Sequence, residues 1–248
     1  MEDILKYVAE DAPLDAAIRT DNVDGLREII ALAPYKKDAR VYRLYPAIQH
    51  AIVFGPSTGC LRLLLALGAN PDTDGLQMFT ALELAAQTDK PEVAGLLIGA
   101  GANVNRRHPL LYCTPLHMAV KGSTECTRLL LEAGARPASR NYGGSTPLHL
   151  AAANGNIGAV RLLLEAGAPI GAKDANGHTA LHIACDNGHH GCVALLAAWT
   201  IRKAWRPIFD RRVRAAHRIQ ASWERCAYDP GFPFCIRRLA HSYAAMQK

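Results

Sequence analysis

The stretch Thr146-Pro147-Leu148-His149-Leu150-Ala151-Ala152-Ala153-Asn154-Gly155-Asn156-Ile157-Gly158-Ala159-Val160-Arg161-Leu162-Leu163-Leu164-Glu165-Ala166-Gly167-Ala168 decides the fold. Its first half reads as a short helix. Thr146 is a good N-cap and Pro147 a good first helical residue, because a helix's first N–H groups have no partner inside it. Leu148, Ala151 and Ala152 give that helix an apolar face of small residues. Asn154-Gly155-Asn156 breaks it. Ile157 to Glu165 makes a second helix, with Val160, Leu163 and Leu164 at core spacing. Gly167 stands where a C-terminal cap needs a left-handed residue. Ala168 to His178 then projects as an extended turn before the next threonine.

The same unit recurs along the chain. Thr114-Pro115-Leu116-His117-Met118-Ala119 precedes it and Thr179-Ala180-Leu181-His182-Ile183-Ala184 follows it. Weaker copies are Thr80-Ala81-Leu82-Glu83-Leu84-Ala85, Pro46-Ala47-Ile48-Gln49-His50-Ala51 and Ala12-Pro13-Leu14-Asp15-Ala16-Ala17. The copies start at 12, 46, 80, 114, 146 and 179. One unit cannot bury its own apolar face, but stacked neighbours can.

The unit length and the T-P-L-H-x-A pattern resemble the ankyrin repeat family. The resemblance implies an all-α ankyrin-repeat solenoid over 12–198, with stacked helix pairs, projecting hairpin fingers and a C-terminal helical extension over 199–248. It further implies non-catalytic protein recognition through the concave face and fingers, an adaptor rather than an enzyme. Departures from the pattern are Asp15 and Glu83 at the histidine position, and Met78 where later fingers carry Gly144 and Gly177. The finger over 102–113 is one residue longer, with Arg106-Arg107-His108-Pro109 near its expected tip.

Composition excludes other classes. Half of the 248 residues are hydrophobic and a fifth are charged, which excludes disorder over most of the chain. No long apolar run suits a transmembrane helix. The first residues, Met1-Glu2-Asp3-Ile4, lack the basic-then-apolar order of a secretory leader. The seven cysteines show no CxxC pair. The expectation is a cytoplasmic protein with reduced thiols. Arg202-Lys203 and Arg211-Arg212-Val213-Arg214 also read as a bipartite nuclear signal. No cofactor or small-molecule substrate is expected, since no GxSxG, GxxxxGK[ST], HExxH or dinucleotide-binding pattern occurs.

Two sets of residues invite a binding role. Arg107, Arg140 and Lys173 each stand six residues after a finger glycine, so repetition lines them along one edge as a basic surface for an acidic peptide. Tyr142 adds a finger aromatic, the kind of side chain that carries interface energy. A third cluster, His182, Cys185, His189, His190 and Cys192, has zinc-ligand chemistry. However, His182, Cys185 and His189 fall on repeat positions, so scaffold is the favoured reading and no metal is expected.

The tail differs in charge. The net charge is +6, yet Trp199 to Lys248 holds eleven Lys or Arg and three Asp or Glu. Ile201, Trp205, Ile208, Val213, Ala216, Ile219, Trp223 and Ala227 fit one helix face, bent at Pro207, opposite an arginine-rich face. Ala215 to Arg225 resembles an IQ motif through Ile219, Gln220, Trp223 and Arg225, although Glu224 stands where that motif wants a base. The resemblance implies calmodulin or a related EF-hand protein as a tail partner. The plainer reading is a cap over the last repeat. No nucleic-acid module is visible despite the charge, and neither a SOCS box nor an F-box is clear.

Overall fold

The computed structural model describes residues 16–32, 48, 51–52, 58–72, 79–122 and 124–228. The side chain of Leu32 and most side chains after Trp205 lie outside the description. All regular structure among the described residues is helical. The chain forms two compact units, Met1–Leu196 and Ala197–Lys248.

In the first unit the helices are α1 (Val23–Leu32), α2 (Gly59–Ala66), α3 (Ala81–Gln87), α4 (Pro91–Gly99), α5 (Pro115–Ala119), α6 (Thr124–Glu132), α7 (Pro147–Ala153), α8 (Ile157–Glu165) and α9 (Ala180–Asp186). Helix α10 spans His190–Tyr228. The first helices of successive repeats stack as α3, α5, α7 and α9, and the second helices as α4, α6 and α8. The fifth copy has the boundaries its sequence dictates. Thr146 is the N-cap, Pro147 is the first helical residue and Asn154 is the C-cap. Gly167 takes φ +81°, and the Ala168 N–H donates to the Leu163 carbonyl at 2.9 Å, closing the α8 terminus.

A strict spacing places the core. Leu64, Leu97, Leu130, Leu163 and Leu196 recur at one position of each second helix, and all are fully buried. Each such leucine contributes about 1.5–3 kcal/mol relative to an exposed one. Cys60, Val93, Cys126, Ala159 and Cys192 form a second buried series four residues earlier. Three cysteines therefore serve as small core residues, and burial pushes the Cys60 thiol up to about 11.

The tail begins within a helix, since α10 runs from His190 past Trp199 and Pro207 to Tyr228. In the second unit the Arg202 guanidinium lies 5.5 Å over the Trp199 ring, and Ile201 and Trp205 are exposed. No described helix is long and apolar enough to cross a membrane. Residues 33–45 and 73–78, Met78 among them, fall outside the described residues.

Candidate protein-binding fingers

The fingers are built on a turn whose first residue recurs every 33 residues, at 108, 141 and 174. In the finger over 135–145, the Asn141 N–H donates to the Ser145 carbonyl at 3.0 Å, and Asn141 Oδ1 accepts the Ser145 N–H at 2.9 Å. In the finger over 168–178, the Asp174 N–H donates to the His178 carbonyl at 2.9 Å, and Asp174 Oδ1 accepts from His178 and Asn176 at 2.8 and 3.0 Å. Such side-chain-to-backbone bonds are why Asn and Asp favour turns.

In the longer finger over 102–113 the corresponding residue is His108. Its N–H donates to the Cys113 carbonyl at 2.8 Å. Its Nδ1 accepts the Leu110 and Leu111 N–H groups, both at 3.3 Å. The imidazole thus replaces the carboxamide, and its ring lies 4.4 Å from that of Phe79. His108 opens the turn at the tip of this finger and is buried there. Tyr112 takes a left-handed φ of +52° at the position where the later fingers carry Gly144 at +69° and Gly177 at +84°.

Burying His108 turns its neighbours out. Leu110 is 67% exposed, and Leu111 and Tyr112 are about half exposed. Tyr142, on the next finger, is 81% exposed. Its N–H donates to the Leu111 carbonyl at 3.0 Å, which fastens the two fingers side by side. The Ala175 N–H makes the same kind of link to the Gly143 carbonyl at 3.0 Å. The apolar run Pro109-Leu110-Leu111-Tyr112 is the available signal, since the two following fingers carry only Tyr142-Gly143-Gly144 and Ala175-Asn176-Gly177 there.

The basic edge divides into two kinds of cation. Arg107 and Lys173 are exposed. Arg140 is exposed too, but its Nη1 donates to the Lys173 carbonyl at 2.6 Å and the Gly144 carbonyl at 3.0 Å. It braces one finger against the next. Arg106 donates in the same manner to the Asp72 carbonyl.

The T-x-L-H histidines are scaffold. The Thr114 N–H donates to His117 Nδ1 at 3.1 Å, and His117 Nε2 lies 3.2 Å from the Ser145 carbonyl. His149 repeats this with Thr146 and the His178 carbonyl, at 3.1 Å each. Burial drives the His117 pKa down to about 4 and lowers that of His149.

The cluster near 182–192 divides along the same lines. His182 Nδ1 is 2.8 Å from Thr179 Oγ1, and His189 Nε2 is 3.0 Å from the Ala153 carbonyl. Cys192 is core, while Cys185 and His190 are exposed. No group of three His, Cys, Asp or Glu suited to a metal ion occurs among the described residues. Ile219, Gln220, Trp223 and Arg225 lie within α10, and their side chains fall outside the description. Arg211, Arg214, His217 and Arg218 line a shallow basic recess on the same helix.

Comparison with known proteins follows the repeat boundaries. Models described as ankyrin repeats match residues 108–174 and 139–204, and a further ankyrin repeat model matches 78–109. Together they span just over half of the chain. The E3 ubiquitin-protein ligase KEG of Arabidopsis thaliana is 36% identical over 94 residues, covering 37% of this chain and 6% of that protein. Protein PhlB of Serratia liquefaciens is 43% identical over 93 residues, covering 37% of this chain and 41% of that protein. Ankyrin repeat and SOCS box protein 11 of Danio rerio is 38% identical over 96 residues, covering 38% and 32%. The chain thus spans less than half the length of each.

Proposed function

The chain belongs to the ankyrin repeat family, and on that premise we propose that it is a non-catalytic protein-binding module whose contact surface is the pair of fingers at 102–113 and 135–145. One observation carries this reading: Leu110, Leu111, Tyr112 and Tyr142 are exposed together on two hydrogen-bonded fingers. Single exposed apolar residues are ordinary, but a contiguous group calls for an occupant. The backbone beneath is already bonded, so docking costs little ordering entropy.

Charge selects the partner. Neither finger contains an acidic residue, and Arg107 on the first finger and Lys173 on the finger after the pair are exposed cations. The occupant that fits is a peptide segment with a large apolar residue beside Asp or Glu. The apolar side chain supplies affinity, while the opposed charges steer the encounter and fix the register.

The test is selection of displayed random peptides on the full chain, followed by titration against Leu111→Ser/Tyr142→Ser. The expected result is enrichment of acidic peptides with an apolar anchor, whose affinity falls about tenfold or more in the double variant. Amide shifts should centre on 110–112 and 142. Enriched peptides that bind the double variant equally well, or that show no acidic bias, would overturn the reading.

A further inference from the structure

Glu83 stands at the third helical position of its repeat, where later copies have His117, His149 and His182. It is fully buried. Its Oε2 accepts the Thr80 N–H at 2.8 Å, as the Nδ1 atoms of His117 and His149 accept from Thr114 and Thr146. Its Oε1 is buried with no hydrogen-bond partner. In the other repeats the second ring atom, Nε2, reaches the carbonyl of the last finger residue, Ser145 or His178. The residue in that place for Glu83 is Cys113, immediately before the capping Thr114. The Cys113 carbonyl already accepts the His108 N–H. The Ser145 and His178 carbonyls likewise accept a finger N–H, from Asn141 and Asp174, and use a second lone pair for the histidine.

A carboxylate has no proton to give a carbonyl, and two oxygens in that arrangement repel. A neutral carboxylic acid has one donor and keeps an acceptor. We propose that Glu83 is held as the neutral acid, its Oε2 accepting from Thr80 and its Oε1–H donating to the Cys113 carbonyl, as a chemical substitute for the repeat histidine. Its proton is thereby a positioning element for the finger that presents Leu110, Leu111 and Tyr112. This deepens the binding reading above, but the protonation itself stands apart from it.

Burial of the carboxyl outweighs the positive groups near it. The charged and titratable groups facing Glu83 are His108 and Arg106 of the finger, with the Cys113 thiol beside them. His108 uses Nδ1 as an acceptor for the Leu110 and Leu111 N–H groups. Arg106 is engaged at the Asp72 carbonyl. On α5, His117 is turned to Thr114 and Ser145. On α4, Glu92 is exposed. Burial, the largest influence, raises the Glu83 pKa above its ordinary value. The neutral form therefore supports the finger fully below the unfolded glutamate pKa of about 4.3, and that support is lost as pH rises through the folded value.

The test is a titration of the full chain labelled with carboxyl ¹³C-glutamate. One resonance, absent in Glu83→Gln, is expected to titrate about one pH unit or more above every other glutamate. The amide signals of 111–113 should shift with the same midpoint. In Glu83→Gln, whose amide donates at any pH, and in Glu83→His, those amides should stay fixed through that midpoint. A Glu83 resonance that titrates with or below the others overturns the proposal, and this wild-type result decides the matter even if a variant fails to fold. Affinity for a peptide selected on the fingers should fall through the same midpoint in wild type but not in Glu83→Gln. If no peptide engages the fingers, the binding reading fails while the titration still judges Glu83.

Discussion

His117 Nε2 lies 3.2 Å from the Ser145 carbonyl, so one imidazole closes its own helix and holds the next repeat's finger. The ring accepts at Nδ1 and donates at Nε2, which only the neutral form can do. Protonation would set a donor against the Thr114 N–H. The folded pKa is about 4 against 6.5 unfolded. The folded form therefore loses stability as pH falls from 6.5 toward 4, by about 3 kcal/mol from this one group. Denaturant unfolding across that window is expected to show the acid loss, and His117→Gln should flatten it. An equally steep acid limb in the variant would assign the loss elsewhere.

Leu163 is fully buried in the leucine series that runs through five repeats. Leu163→Ala removes packing on both sides of α8, toward α6 and toward its own first helix α7. The expected destabilisation is about 2–5 kcal/mol, read as a lower unfolding midpoint. An unchanged midpoint would contradict the spacing that defines the core.

The core was legible because repetition does the work of an alignment within one chain. Thr146, Pro147, Asn154 and Gly167 have the roles their chemistry predicts. The site was legible only in part. Arg107, Arg140 and Lys173 were found by their spacing, but spacing does not tell a free cation from a brace, and Arg140 is a brace. The sequence places His108 near the tip of the longer finger but does not show that it is buried. Its burial depends on a turn in which a ring nitrogen replaces a carboxamide oxygen, a substitution no pattern of residue types announces. The turning-out of Leu110 and Tyr112 follows from that one event.

Gly155 joins α7 to α8 at φ +67°. A Cβ there would sit 2.7 Å from His189 Nδ1 and 2.9 Å from Cε1. His189 is in turn bonded to the Ala153 carbonyl at 3.0 Å, so the ring is not free to withdraw. Gly155→Ala combines a disfavoured backbone with a clash and is expected to cost about 1–3 kcal/mol or more. Adding His189→Ala should recover the part due to the clash and leave the backbone part. Thermal unfolding of the two variants measures the division, and no recovery in the double variant would refute the clash.

Arg107 and Arg140 occupy the same finger position one repeat apart, yet they should separate in experiment. Arg140 donates to two carbonyls, Lys173 and Gly144, and truncation leaves the finger pair without its brace. Arg140→Ala is expected to destabilise by about 1 kcal/mol, below the usual value for a charged hydrogen bond because the group is exposed. Arg107→Ala should change stability by less than about 0.5 kcal/mol, as for other exposed side chains. Its effect should appear in binding, as a slower association with an acidic peptide and a weaker dependence on salt. Unfolding midpoints and association rates of the two variants form the comparison. If Arg107→Ala lowers stability as much as Arg140→Ala while association is unchanged, the basic edge is scaffold throughout and the apolar group must select its partner alone.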